Sequence, residues 1–234
     1  EMCIRDRSWP TRQESLEKFQ KFNPIKYSKT RNYLNGQVSK LSPLIKHGVI
    51  TNKELFEMTR DKFSFEESEK FIQELAWRDF WRSYAYHNPD QIWTDVESYK
   101  TGFQTSEYQD KLPEDIESGQ TPTQVINVFI KNLKETGYLH NHARMYLASY
   151  VVHFRRVKWQ AGAKFFLTHL LDGDIASNNF SWQWIASTFA GKPYIFNLEN
   201  VQKYCNGTIN IEPNHNEEIN GSYEEITQRL FPNL

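Results

Sequence analysis

A chain of 234 residues with a formal charge of −1 and a pI near 6.8 can bury one sizeable core, and its total field is not that of a general nucleic-acid binder. Seven Trp, twelve Tyr and sixteen Phe provide flat surface for packing or for stacking a ring system. Cys3 and Cys205 are too few for a disulfide framework and not spaced as a zinc site, and no stretch has the apolar length of a membrane span or a secretory core, so a soluble, cytoplasmic protein is expected.

Residues 1–8, beginning EMCIRDR, resemble a translated adapter scar and are expected to carry no fold information. Between 10 and 50, Pro10, Pro24, Gly36, Pro43 and Gly48 limit helices to short pieces. The segment SFEESEKFIQELAWRDFWRSYAYH, 64–87, reads as a long helix. Ser64 and Glu67 form a capping pair, Ile72, Ala76, Phe80 and Tyr84 recur every four residues, and Asn88-Pro89 ends it. Residues 94–120 read mostly as loop. Thr121 and Pro122 then open a helix through Val125, Val128, Phe129 and Leu133 that stops at Gly137. Residues 140–156 and 160–171 read as two helices broken near Lys158. The stretch 153–164 carries Arg155, Arg156, Lys158 and Lys164 without an acid and predicts a local basic face. From 206 onward, Pro, Asn and Glu predict weak order before a last short helix near Tyr223 to Phe231. Strands do not alternate with helices, and no repeat, GxGxxG or Walker-type loop occurs, so the fold class is all-α.

Two segments carry chemistry. In TGYLHNHARMYLASYVVHFRR, 136–156, helical spacing puts Asn141, Arg144 and Met145 on one face. In LLDGDIASNNFSWQW, 170–184, acids, amides and indoles crowd together, and Asp172 follows the end of the preceding helix. Arg144 and Asp172 would form a charge pair at the rim of a pocket. An ordinary structural pair, with Met145 as core filler, is the competing reading.

Together with ELAWRDFWR (74–82), VSKLS (38–42) and Trp159, these segments resemble the flavin-binding helical domain of the photolyase/cryptochrome family. The resemblance covers roughly residues 20–205. It implies an all-α FAD-binding domain over 9–205, a C-terminal tail over 206–234, and FAD as cofactor. Tyr27 and Val38, Ser39, Lys40, Leu41 and Ser42 match the segment that cradles the FAD diphosphate, for which hydroxyls, backbone N–H groups and a lysine are suited. Arg78 matches an arginine near the cofactor. Asp172, Gly173 and Asp174 match the turn whose acids hold the flavin and ribose end, Arg144 the arginine paired with the first acid, and Asn178 the residue facing flavin N5.

On the substrate side, Glu74, Trp77, Asn141 and Met145 match residues that contact a flipped-out cyclobutane pyrimidine dimer, and Trp184 is expected to line the same pocket. Members acting on (6-4) photoproducts usually carry histidines at the positions of Asn141 and Met145. His142 stands where many relatives have an arginine that touches DNA, which implies weaker binding. His140 matches a histidine taken as structural.

Trp182 and Trp159 match the inner two tryptophans of an electron-transfer chain. The usual outer tryptophan has no counterpart, and Tyr108, Trp93 or Trp81 are the available substitutes. The resemblance thus implies a deoxyribodipyrimidine photolyase acting on ultraviolet-damaged DNA, single- or double-stranded, or alternatively a cryptochrome-like photoreceptor. A monomer is expected, with no membrane partner. The amino-terminal α/β domain of relatives has no match, so no antenna chromophore is expected; a miniature member and a truncated one both fit.

Overall fold

A computed structural model describes residues 11–205 and 207–234, so the scar-like residues 1–8 lie outside it. Among the described residues the protein is helical, with an isolated bridge between Gln109 and Val157 and no strand. Four short helices open it: α1 Arg12–Gln20, α2 Pro24–Thr30, α3 Ser42–Lys46 and α4 Asn52–Arg60. Capping boxes at Thr11/Glu14 and Thr51/Glu54 satisfy the first N–H groups of α1 and α4, and Pro24 starts α2. These helices are too short to be stable alone. They share a cluster of Phe19, Phe22, Leu41, Leu44, Ile50 and Leu55 closed by Phe71 of the next helix.

That helix, α5 Phe65–His87, has the expected Ser64/Glu67 capping box and ends at Asn88 before Pro89. Its buried seam differs from the expected stripe. Ser68, Phe71, Trp81 and Ala85 are buried, whereas Ala76 and Phe80 are exposed. The cause is a change of neighbour along its length. Its first half packs on α2 and α4, and its second half meets a later helix, α10 Ile175–Ala186.

The 94–120 region is mostly irregular, with α6 Glu114–Ser118 as a single turn. Next, α7 Gln124–Thr136 ends on a left-handed Gly137, as its sequence predicts. Then α8 Asn141–Ser149 widens into a π-helical turn over Tyr150–Phe154, and α9 Trp159–His169 follows. These helices surround a core that includes Ile126, Phe129, Leu133, Tyr146, Tyr150, Val151, Trp159, Phe166 and Trp182. After α11 Leu198–Cys205, the C-terminal segment joins the same core. Ile219, and Ile226 and Leu230 of α12 Tyr223–Leu230, are buried there, and Glu218 Oε2 accepts from Tyr150 (2.5 Å) and Thr123 Oγ1 (2.6 Å). The weak order expected of this segment is therefore not what is found: Ile219, Ile226, Leu230 and Phe231 are buried in the core, while Tyr223 and Leu234 stay exposed.

The expected basic face is also corrected. Arg155 pairs with Asp115 (2.8 Å), Lys158 with Asp110 (2.6 Å), and Arg156 lies 3.6 Å from the Phe103 ring centroid. Acids at 110 and 115 thus pair two of the four cations, so the basic face is smaller than expected. Among the described residues no helix is long and apolar enough to cross a membrane.

The middle of this arrangement is α10, packed against α5, α8 and α9. It is buried nearly all round, and its interior polar residues serve as clamps. Asn179 Nδ2 donates to the Ile92 carbonyl (2.8 Å). Gln183 Nε2 donates to the Gln91 carbonyl (2.8 Å), and Gln183 Oε1 accepts from the Val96 N–H (3.0 Å). The 91–96 loop is thereby fixed to α10. On the other side, Gly162 of α9 leaves room for the Trp182 indole: a Cβ there would lie 2.2 Å from the ring. Gly162→Ala is expected to displace Trp182 and cost about 1–3 kcal/mol of stability, measured by urea unfolding and near-ultraviolet circular dichroism; unchanged unfolding and spectrum would contradict this packing.

Candidate cofactor and substrate site

Asp174 caps α10, its Oδ1 accepting from the Ser177 N–H (3.1 Å). The other oxygen accepts from Arg82 Nε and Nη2 (3.1 and 2.9 Å), with Arg78 Nη2 at 3.6 Å and Lys46 Nζ at 4.0 Å. Burial by itself raises the Asp174 carboxyl, but the Ser177 N–H, Arg82 and Arg78 together outweigh it and hold it below the usual carboxylate range. Arg78 and Arg82 are four residues apart on α5, so one helix face delivers both to one carboxylate. The sequence reading named Arg78 and missed Arg82 and Lys46; the i, i+4 spacing of the two arginines was the available signal.

Asp172 is also buried, and both its oxygens accept from Arg144 Nη2 (2.9 and 2.8 Å), while Arg144 Nε donates to the Leu139 carbonyl (2.7 Å). The expected pair therefore exists. Arg144 and Lys40 each lie within 6 Å of the Tyr138 ring centroid, which brings the 38–42 turn up to α8. Lys40 has a φ of +55°, rare for a residue with a Cβ, and Leu41 follows in the right-handed region. Such an alternation turns successive N–H groups toward one side and suits an anion. Within the DGD turn, a Cβ on Gly173 would come 3.2 Å from the Leu170 carbonyl oxygen, so the backbone approaches closely there.

Several buried donors in this region have no hydrogen-bond partner in the protein: Arg78 Nε and Nη2, the latter only an ion-pair neighbour of Asp174, and His140 Nε2. His140 Nδ1 accepts from the His142 N–H (3.1 Å), so its ring hydrogen resides on Nε2, a donor facing no acceptor. Unpaired buried donors are costly. Guanidinium and imidazole N–H groups left open beside Lys40 and Arg144 fit a cofactor that brings anionic phosphate and carbonyl oxygens. Asn178 fits as well. Its Nδ2 donates to the Ala163 carbonyl (3.1 Å) and to Asn179 Oδ1 (2.9 Å), which orients the amide and leaves Oδ1 as the uncharged acceptor.

The substrate-side residues are distributed over two helices. On α5, Glu74 is half-buried and Trp77 is 48% exposed, one turn ahead of Arg78 and Arg82. Glu74 Oε1 accepts from Arg31 Nη1 (2.9 Å) and forms an ion pair with Lys70 Nζ (3.0 Å). Arg31 lies four residues after Tyr27, whose hydroxyl is pushed up to about 12 by burial and then by the Glu74 carboxylate. On α8, Asn141 is exposed and its Nδ2 lies 3.8 Å from Met145 Sδ, so the predicted face is formed. Trp184 is 42% exposed and packs near Tyr194 rather than against the α5 residues named here.

His142, expected at the DNA side, is covered in this structure. It is 8% exposed, with its ring against Tyr146 (4.8 Å) and Tyr204 (4.7 Å), so it does not present itself to a phosphate. Burial pulls it down to about 4, and does the same for His140 and for His153.

Trp182 and Trp159 are both buried in the main core. Of the three candidates for an outer partner, Trp93 stacks on Trp159, with centroids 6.3 Å apart and planes within 6°. Trp81 stacks instead on Phe180, and Tyr108 on Tyr99.

The fold and this set of acids, arginines and amides define a flavin-binding helical domain. The chain belongs to the family described as the FAD binding domain of DNA photolyase, which matches residues 71–208. It is 34% identical over 150 residues to the deoxyribodipyrimidine photo-lyase of Streptomyces griseus, covering 64% of this chain and 32% of that one. It is 31% identical over 174 residues to a cryptochrome DASH of Idiomarina loihiensis, covering 70% and 38%. An archaeal photolyase from Sulfolobus tokodaii, crystallised with two FAD molecules, superposes with a TM-score of 0.69 at 29% identity, covering 83% of this chain and 44% of that one. The chain spans about a third of the length of the curated relatives it matches first.

Asp174→Asn keeps the helix cap but removes the charge that faces Arg78 and Arg82. We expect a loss of about 3–5 kcal/mol in urea unfolding together with loss of FAD uptake, and wild-type values in both would contradict the arrangement. Stability should also depend on pH with a definite sign. The three buried histidines are neutral in the fold with values near 4 against an ordinary 6.5, so the unfolded chain binds protons first. Their contribution is complete above pH 6.5 and is lost as pH falls toward 4, with Asp174 adding a further loss below its ordinary 3.8. Urea midpoints measured from pH 7.5 to 4 test this, and a flat profile would refute it.

Proposed function

We propose that this domain binds FAD and carries out light-driven repair of cyclobutane pyrimidine dimers in ultraviolet-damaged DNA. The observation that supports the reading best is on α5. Glu74 and Trp77 stand partly open to solvent at i and i+3, and Arg78 at i+4 turns inward to Asp174. One helix face therefore sets a hydrogen-bonding carboxylate and a stacking ring beside the arginine that holds the cofactor's acid. Reduced FAD, excited by blue or near-ultraviolet light, supplies an electron to the dimer and recovers it once the ring has split.

The remaining work belongs to the chain. Glu74, held by Arg31 and Lys70, and Asn141 present an acceptor and an amide to the carbonyl and imide groups of a flipped pyrimidine pair. Trp77 provides a face for stacking, and Met145 an apolar, polarisable one. Because Arg31 and Lys70 balance the Glu74 charge, this wall does not strongly repel an electron arriving on the substrate. Asn178 contributes an acceptor without charge at the flavin position that the sequence assigns to it.

A cryptochrome-like photoreceptor is the second reading, supported by the resemblance to a cryptochrome and by the buried His142, which removes one charged contact from the DNA side. Signalling alone has no use for Glu74, Trp77, Asn141 and Met145 as a set. The deciding measurement is loss of dimer absorbance from irradiated oligo-dT with FAD-loaded, chemically reduced protein, in blue light against darkness. Repair in light only is expected. Bound, reduced FAD without repair would favour the photoreceptor. Glu74→Ala and Asn141→Ala should each slow repair on the order of tenfold or more while sparing FAD binding, and full repair by both would refute the substrate assignment.

A further inference from the structure

Asp95 occupies a position that the proposed repair chemistry does not use. Its Oδ1 accepts from the indole Nε1 of Trp159 at 2.7 Å and from Gln160 Nε2 at 3.1 Å, and its Oδ2 lies 3.5 Å from Thr105 Oγ1. Trp159 is fully buried, so this carboxylate is the acceptor that an otherwise isolated indole N–H meets. The contact is held firmly. Asp95 and Trp93 lie on the 91–96 loop that Asn179 and Gln183 of α10 grip at Ile92, Gln91 and Val96. Trp93, half-buried, stacks parallel to Trp159.

We infer that Asp95 is the proton acceptor for Trp159 when Trp159 loses an electron, so that the pair traps oxidation at this indole. The inference rests on the reading that the chain holds FAD and that Trp159 feeds electrons toward it. Two charges favour Trp159 over Trp93 as the site where the missing electron resides. The Asp95 carboxylate touches Trp159 and stabilises positive charge there, whereas Lys164 Nζ, 5.6 Å from the Trp93 ring centroid, opposes it on Trp93. An indole radical cation is a far stronger acid than indole, and a carboxylate at hydrogen-bond distance is a base already in place.

The step balances. One electron leaves the Trp159 ring for the one-electron oxidant, a photoexcited oxidised flavin, and the Nε1 proton crosses to Asp95 Oδ1. A neutral indolyl radical and a neutral carboxylic acid remain. An electron from an external reductant, entering by way of Trp93, and the return of the same proton restore both groups. A carboxylate that merely packs the loop would accept the hydrogen bond equally well, so the distinguishing property is basicity. Asparagine preserves an acceptor oxygen and cannot take the proton.

The test is flash photolysis of the full chain loaded with oxidised FAD, following the protonation state of the tryptophan radical by transient absorption. The unaltered chain should end in the deprotonated radical, formed more slowly in D2O than in water. This isotope effect needs no variant. Asp95→Asn should stop at the protonated radical, recombine on the order of tenfold faster, and show no isotope effect. A deprotonated radical of unchanged lifetime in Asp95→Asn, or an absent isotope effect in the unaltered chain, would overturn the assignment while leaving FAD binding and repair untouched. If Trp159→Phe retains FAD and gives an unchanged radical yield, the electron route itself is refuted and the assignment falls with it. A chain that takes up no FAD refutes the reading beneath both.

Discussion

The structure of this domain depends on one buried carboxylate at the start of α10. Asp174 caps the helix through the Ser177 N–H and holds Arg82 directly, with Arg78 close by, so a single group sets the beginning of α10 and its rotation against α5. An isolated carboxylate at that depth would be expelled or protonated; here burial is outweighed by one backbone donor and two guanidinium groups. The arrangement leaves Arg78 with donors that no protein atom fills. Structural need and ligand need therefore meet in the same residues, as expected of a site that is built before its cofactor arrives.

From that anchor α10 distributes positions in three directions. Toward α9 it places Trp182 over Gly162. Toward the 91–96 loop, Asn179 and Gln183 convert buried amides into clamps, which brings Trp93 and Asp95 to Trp159. Toward solvent it leaves Trp184 partly uncovered. A helix buried on most of its surface is usually uniform and apolar. This one uses buried amides because each has a backbone carbonyl or N–H to satisfy it, and the outcome is a loop held as rigidly as a helix.

The charges show a second regularity. Cations in the site outnumber the acids they face: Lys46, Arg78 and Arg82 surround Asp174, Arg144 holds Asp172, and Arg31 and Lys70 hold Glu74. Elsewhere, Asp115 and Asp110 pair with Arg155 and Lys158 of the basic run at 153–164, and Arg156 lies over the Phe103 ring. A chain of near-zero total charge thus gathers an excess of cations where an anionic cofactor fits.

Much of this was determined by sequence alone. The all-α class, the capping of α5 by Ser64 and Glu67 and the stop of α7 at Gly137 all follow from short-range signals: periodicity, caps and turn residues. What only the tertiary structure decided is long-range. The stripe of α5 could not be read because its neighbour changes from α2 and α4 to α10 partway along. His142 reads as a surface residue until Tyr146 and Tyr204 cover it, and the C-terminal segment reads as loose until Ile219, Ile226 and Leu230 find the core. Asp95 and Trp159, 64 positions apart, meet where Asn179 and Gln183 hold the 91–96 loop that carries Asp95. Backbone geometry and helix caps are set by residues a few positions apart, so a sequence displays them, whereas contacts between distant segments depend on how the whole core closes.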